Sequence, residues 1–216
     1  MGNIGTGEWI VIGLSLLIGL FFVLGNWFNN QRADNAMRWL RQGLSDYGAL
    51  KSSRFNAPTA KGIAFQIVPS ANCPYQRIQG ILVLERRENL PLWIFQRIRG
   101  KRDILQMTSD LQDAPNMDLH ISQRSFLPKV TPEKAGNGGT SNEMIPIGAT
   151  PFYLSENEPP FPVEQISQLI SQLPAAIVDL AIHRKSPHII FQAHLSPLLS
   201  TDPRAFFQTL KKGIDL

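Results

Sequence analysis

The sequence predicts an α+β protein: one N-terminal transmembrane helix, followed by a cytoplasmic domain in which helices pack on a mainly antiparallel sheet. Three observations support this fold class. Residues 9–28 form an uncharged apolar stretch. Strand and helix patterns then follow in blocks, with no repeating βαβ unit. The rest of the 216 residues is enough for one domain of ordinary size.

The apolar stretch is long enough to cross a bilayer. At about 1.5 Å per residue it covers the roughly 30 Å of a hydrocarbon core. Trp9, Trp27 and Phe28 stand at its ends, where aromatic rings favour the membrane interface. Ser15 and Gly19 form a small-xxx-small pair, which predicts a contact site for a partner transmembrane helix.

The charges beside this stretch predict its orientation. Arg32, Arg38 and Arg41 follow it, whereas residues 1–8 carry only Glu8. The positive-inside rule therefore predicts that residues 1–8 are a short extracytoplasmic N-terminus and that the domain is cytoplasmic. The expected location is the cell membrane or a membrane of the endoplasmic reticulum type.

Residues 29–61 are predicted to be an amphipathic exit helix and a loop. The helix is indicated by an apolar stripe at i, i+3, i+4 and i+8 spacing, formed by Ala36, Trp39, Leu40 and Leu44. The loop is indicated by the Ser, Asn, Pro and Ala content of the segment from Lys51 to Lys61.

Residues 62–216 are predicted to be the α+β domain, with a mobile glycine-rich loop at 127–143. Its strands are predicted from β-rich or alternating runs at 62–68, 77–87, 103–108, 117–123, 144–154, 175–183 and 188–195. Its helices are predicted at 163–173 and at 203–212, the second with Asp202 as its cap and Pro203 at its first position.

The positive charge is concentrated next to the apolar stretch. Residues 29–102 hold 13 Lys and Arg against 4 Asp and Glu. We expect a partner- or lipid-binding surface here, formed by Trp93, Arg97, Arg99, Lys101 and Arg102, together with Arg38 and Arg41. The alternative is a connecting helix that buries Trp93, Ile94 and Ile98 in the core and leaves the cations solvated.

The chain shows no catalytic, cofactor or metal motif. GxSxG and HExxH are absent, and His183, His188, His194 and Cys73 match no zinc spacing, so the histidines are expected at exposed turns and edges. Glu85 and Glu88 are expected to be solvated. We therefore predict a binding protein that is not an enzyme and does not bind DNA in a sequence-specific way.

Two other functions stay open from the residues alone. A lipid- or small-molecule-binding domain would need an apolar cavity in the sheet, for which the candidate lining residues are Phe65, Ile81, Leu105 and Phe191. A membrane-tethered enzyme would need polar groups from different strands that converge in a cleft and have shifted pKa values.

Three segments together resemble the calumin family: ADNAMRWLRQGLSDYGAL, YQRIQGILVLERRENLPLWIF and RDILQMTSDLQDAPNMDLHI. The shared order is a membrane helix, a Trp-containing exit helix, a strand, a basic stretch and a further strand pair. The resemblance implies a single-pass protein with a cytosolic α+β domain. It also implies that the domain works with the ribosome or the machinery that inserts multi-pass membrane proteins.

Overall fold

The structure is a computed structural model. It describes residues 5–57, 60–70, 73–115, 119–123, 142–147, 150–156 and 177–214. The predicted helix at 163–173 and nearly all of the predicted loop at 127–143 lie outside these residues. Only Asn142 and Glu143 of that loop are described, and both belong to a strand.

A single helix, α1, extends over 39 residues from Thr6 to Leu44. Among the described residues it is the one helix long and apolar enough to cross a membrane. Its first half is almost wholly exposed, whereas the second half packs on the domain. The predicted transmembrane segment at 9–28 and the exit helix predicted after it are therefore parts of one continuous helix.

Nine strands form one sheet in the order β1-β2-β3-β4-β9-β8-β5-β7-β6, and every pair of neighbours is antiparallel. The α+β prediction is confirmed. The strands are β1 Gly48–Ala57, β2 Ala60–Pro69, β3 Tyr75–Leu84, β4 Ile104–Leu111, β5 Leu119–Gln123, β6 Asn142–Ile147, β7 Thr150–Glu156, β8 Ile177–Ile182 and β9 Ile189–His194.

Three further helices complete the described chain: α2 Leu90–Ile98, α3 Leu195–Leu198 and α4 Pro203–Ile214. The predicted cap of α4 is confirmed, because the Arg204 backbone N–H donates to Asp202 Oδ1 at 3.1 Å. This bond satisfies one of the amide groups that a helix start leaves without a partner inside the helix.

The core lies between one face of the sheet and the helices α1 and α4. The predicted apolar stripe on α1 is buried, as expected. Trp39 packs against Phe206 and Phe207, and its ring centre lies 5.5 Å from the centre of each phenyl ring. The sheet contributes alternate residues to the same core, because side chains of a strand point to opposite faces in turn. Phe65, Leu82, Leu105 and Phe191 are among them.

Two predictions of secondary structure were wrong. The loop expected from Lys51 to Lys61 belongs to a β1–β2 hairpin. β1 is an edge strand whose residues are mostly exposed, so it needs no apolar alternation. The single strand expected at 144–154 is instead the hairpin of β6 and β7.

One end of the sheet lies against the middle of α1. Lys61 at the start of β2 is in register with Leu84 at the end of β3, and Ile104 at the start of β4 is in register with His194 at the end of β9. This end carries the ionisable residues described next.

Candidate functional site

The turn from Glu85 to Asn89 joins β3 to α2 and packs directly on α1. A Cβ atom at Gly25 would lie 2.5 Å from the carbonyl carbon and oxygen of Arg87, closer than real contacts allow. Glycine is therefore required for the helix and the turn to meet. One turn along α1, the buried Asn29 donates to Glu88 Oε2 at 3.2 Å and accepts from Arg87 Nη1 at 2.6 Å.

Three carboxylates of this region are buried, and we call them with their cationic partners the ion cluster. Glu85 is 5% exposed, Glu88 8% and Asp103 4%. The expectation that Glu85 and Glu88 face solvent was wrong. Their partners come from distant parts of the chain, and buried charges persist only when they are paired in this way.

Asp103 links α1, the β3–α2 turn and β4. Arg32 Nε lies 2.8 Å and Arg87 Nη2 2.7 Å from Asp103 Oδ2, while the Glu85 backbone N–H donates to Asp103 Oδ1 at 2.8 Å. Arg32 also donates to Ser196 Oγ in α3. Both Asp103 oxygens thus have a partner, and the side chain is only 2% exposed to solvent.

Glu88 links α1 to β2. Lys61 Nζ lies 3.0 Å and Arg86 Nε 2.9 Å from Glu88 Oε1, and Lys61 also donates to Asn26 Oδ1 at 3.1 Å. Burial alone would raise the Glu88 pKa, but the hydrogen bonds from Arg86 and Lys61 outweigh it and hold the pKa below its usual value. Glu88 therefore stays ionised where it contacts α1.

Glu85 sets the orientation of α2. Trp93 Nε1 donates to Glu85 Oε2 at 2.7 Å, and Arg97 Nη1 donates to Glu85 Oε1 at 3.3 Å. Gln96, on the same side of α2, is buried. The polar edge of Trp93 and the Arg97 guanidinium therefore turn toward the ion cluster, and α2 is fixed with its remaining face outward.

The outward face of α2 is apolar and exposed. Ile94 is 44% exposed, Phe95 50% and Ile98 80%. The alternative that α2 buries Trp93, Ile94 and Ile98 in the core is wrong for Ile94 and Ile98, whereas Trp93 is half-buried against Glu85. An amphipathic pattern identifies two faces of a helix but does not say which medium the apolar face meets.

The cations of the predicted binding surface divide into two groups. Arg99 and Lys101 are exposed at the end of α2, where the Arg99 guanidinium lies 3.9 Å from the centre of the Phe95 ring. Arg102 Nη1 donates to the carbonyl oxygens of Arg97 and Lys101. Arg97 belongs instead to the ion cluster.

The structure separates the remaining predicted residues from α2. Arg38 and Arg41 are exposed on α1, roughly 20 Å or more along the helix from Gly25 at about 1.5 Å per residue. Trp9, Trp27 and Phe28 are exposed on α1, and so are Ser15 and Gly19. The basic surface at the end of α2 is thus smaller than predicted.

Among the described residues, the other face of the sheet is open where β1 to β4 form it, and we call this part the open face. A shallow trough of about 630 Å³ there is lined by Lys51, Gln66, Gln79, Ile81 and Gln106, among others. The apolar cavity required of a lipid-binding sheet is not formed by its candidate residues. Phe65, Leu105 and Phe191 are buried on the core face, whereas Ile81 lies on the open face.

A titratable pair from two different strands lies farther along the same side of the sheet, on β5 and β8. His120 Nε2 lies 2.7 Å from Asp179 Oδ1, and this hydrogen bond raises the His120 pKa although partial burial opposes it. The pair is partly exposed. It is a partly buried cross-strand hydrogen bond, which becomes an ion pair only when His120 is protonated.

His183 and His188 flank the turn between β8 and β9, as expected, although both are half-buried rather than exposed, whereas His194 does not lie on an edge strand. His194 ends β9, which lies between β4 and β8 in the sheet, and His188 Nδ1 accepts from the Leu111 backbone N–H at 2.9 Å. Cys73 is buried. Among the described residues, no three His, Cys, Asp or Glu side chains are grouped so that they could hold a metal ion.

Comparison with known proteins adds no family to this picture. No family model matches the chain, and no curated protein is significantly similar to it. The function is therefore argued from the ion cluster and the exposed face of α2.

Proposed function

We propose that the chain is a single-pass, non-enzymatic binding protein whose α2 helix lies in the headgroup layer and binds anionic lipid. In this proposal α1 crosses the membrane at Trp9–Phe28. One observation carries the proposal: α2 begins two residues after Glu88, which packs on Gly25 within the apolar part of α1, and it exposes Ile94, Phe95 and Ile98. We infer that an apolar face that begins this close to the apolar part of α1 reaches the lipid around that helix.

The free energies favour lipid over water for this face. Complete burial of a Leu-, Ile- or Phe-sized side chain contributes about 1.5–3 kcal/mol. Each Lys or Arg beside an anionic surface adds about 1 kcal/mol. An interfacial helix is held in a headgroup layer by apolar burial and by the attraction of its cations to anionic lipid. The three exposed apolar side chains supply the first contribution, and Arg99 and Lys101 supply the second.

A fluorescent probe on α2 tests the contact. We expect NBD attached to an Ile98→Cys, Cys73→Ser variant to show a blue shift and higher emission in vesicles of phosphatidylcholine with phosphatidylserine. In pure phosphatidylcholine the shift should be smaller. Adding Arg99→Glu and Lys101→Glu should weaken the docked state by at least about 2 kcal/mol, because two attractive charges are replaced by repulsive ones. Arg97 is left unchanged because it pairs with Glu85.

The matched control places the probe at Ser53→Cys in the same Cys73→Ser background. Ser53 is exposed on the edge strand β1, so its emission should not respond to lipid. Equal emission from both positions in every vesicle would contradict the proposal. Protection of position 98 in native membranes but not in lipid vesicles would assign the face to a protein partner instead.

The proposed location is a cell membrane or an endoplasmic reticulum-type membrane, with the N-terminus outside and the domain in the cytoplasm. The native thiol is a poor reporter of this topology because Cys73 is buried. The Ser53→Cys, Cys73→Ser variant should react with an impermeant maleimide only after the cells are opened. Labelling of intact cells would reverse the orientation.

The resemblance to the calumin family suggests a cellular process in which a membrane-bound domain of this kind would act. A domain held on the bilayer by both α1 and α2 would sit at a fixed height beside newly inserted membrane proteins. We therefore propose membrane-protein biogenesis as the process, with ribosome or insertion-machinery partners.

A further inference from the structure

The domain meets α1 inside its apolar stretch rather than after it. On one face of α1, Phe21 is half-covered and Gly25 is buried against the backbone of Arg87 and Glu88. On the opposite face Trp27 stays exposed, and Phe28, beside the contact, is exposed as well. The length of α1 that lipid can contact is therefore shorter on the side of the domain.

This shorter side does not match an ordinary bilayer. From Trp9 to Leu24 there are 16 residues, which rise about 24 Å as a helix, against a hydrocarbon core of about 30 Å. Before Trp9 stands Glu8, whose carboxylate accepts from the Gly5 backbone N–H at 2.9 Å. Tilting α1 would shorten its reach further, so tilt cannot remove the difference.

The lower limit of the hydrocarbon is fixed by the ion cluster. Lys61, Arg86 and Arg97 keep part of their side chains exposed, at 19%, 22% and 50%. Charged groups that face lipid hydrocarbon are strongly unfavourable. The cluster cannot move down α1 either, because Asn26, Asn29 and Arg32 each contact it. The hydrocarbon must therefore end near Gly25 on this side.

We propose that the protein binds, and maintains around α1, a lipid annulus about 6 Å thinner than an average bilayer. The apolar face of α2 lies at the edge of this thinned region, where it contacts the acyl chains of the lipid. The inference rests on the proposed membrane anchoring and adds the kind of bilayer that the anchor fits.

Tryptophan quenching by brominated lipid measures the fit. The full chain is reconstituted in mixtures of dibrominated dioleoyl-phosphatidylcholine with unbrominated lipids of different chain length. Trp9 and Trp27, both exposed on α1, report which lipid is in contact. We expect the relative association constant to be severalfold higher for the short dimyristoleoyl lipid than for the dioleoyl lipid. The long dierucoyl lipid should bind most weakly.

The matched control is a variant with four leucines inserted between Leu16 and Leu17. This lengthens the lipid-facing helix by about 6 Å and should move the preference to the dioleoyl lipid. A second variant, Ile94→Ser, Phe95→Ser and Ile98→Ser, should keep the preference for short chains, since that preference depends on the contact at Gly25. If this variant lost the preference, the thin annulus would depend on α2 rather than on the contact at Gly25, and the inference would be wrong.

The outcomes separate this inference from the proposed function. If no brominated lipid quenches the tryptophans, α1 is not in the bilayer and both proposals are wrong. If quenching occurs but the dioleoyl or dierucoyl lipid binds most strongly, the protein is anchored and the thin annulus alone is wrong.

Discussion

Replacing Asp103 with alanine should lower the free energy of unfolding by about 3–5 kcal/mol. Its carboxylate lies within 2.8 Å of Arg32 Nε and 2.7 Å of Arg87 Nη2, and its side chain is 2% exposed. Removing it leaves Arg32 without its carboxylate partner, Arg87 with only the more distant Glu85 Oε2 at 3.6 Å, and the Glu85 backbone N–H without an acceptor. Urea unfolding of the full chain in detergent micelles, followed by near-UV circular dichroism, measures the loss.

The control for this change is Asp34→Ala. Asp34 Oδ1 also lies 2.8 Å from a guanidinium, that of Arg54, but both side chains are about 60% exposed. Pairs of this kind contribute about 0–1 kcal/mol. Equal losses for the two variants would show that water reaches the ion cluster and screens its charges, contrary to the burial of its three carboxylates.

The ion cluster stands where the long apolar helix α1 meets the domain, and it connects both to α2. Asp103 and Glu88 each connect α1 to the sheet, and Glu85 connects the sheet to α2 through Trp93. A movement of α1 relative to α2 would break several charge-assisted hydrogen bonds in a poorly hydrated site, where their loss is most costly. The helices α1 and α2 are therefore held as one unit.

Local features of this fold could be predicted from the sequence. The stripe of Ala36, Trp39, Leu40 and Leu44 identified the buried face of α1 because helical periodicity depends only on neighbouring residues. The cap at Asp202 and the strands around Phe65 and Leu82 were found for the same reason. Each of these signals is contained within one element.

The ion cluster could not be predicted in the same way. Asn29 and Glu88 are 59 residues apart, and Arg87 and Asn29 are 58 residues apart. Seen alone, Glu85-Arg86-Arg87-Glu88 is typical of a solvated turn, because adjacent opposite charges look self-compensating. The one local hint was the polar Asn26 and Asn29 at the end of an apolar helix, where a buried contact would need hydrogen bonds.

The position of α2 shows a different limit. Asn89 caps the start of α2, where its side chain accepts from the Leu92 backbone N–H at 3.2 Å. The sequence cannot show that Trp93 turns inward through its Nε1 while Ile98 turns outward. Both rank as apolar, and only the partner at Glu85 distinguishes them.

Replacing Trp39 with alanine should cost about 3–5 kcal/mol of stability. Trp39 is 6% exposed, packs against Phe206 and Phe207, and donates from Nε1 to the Thr201 carbonyl oxygen at 3.0 Å. The change leaves a cavity between α1 and α4 and an acceptor without its donor. Thermal unfolding in micelles measures the total loss, and hydrogen exchange locates it.

The exchange pattern tests whether the middle of α1 and its C-terminal part stabilise different helices of the domain. Amides of α4 should exchange faster in Trp39→Ala, while those of α2 keep their protection, because Trp39 lies away from the ion cluster that holds α2. Trp27→Ala, which removes an exposed ring, should change neither region. Equal loss of protection in α2 and α4 would mean that the domain opens as one cooperative unit. In that case α1 would not hold the two helices independently.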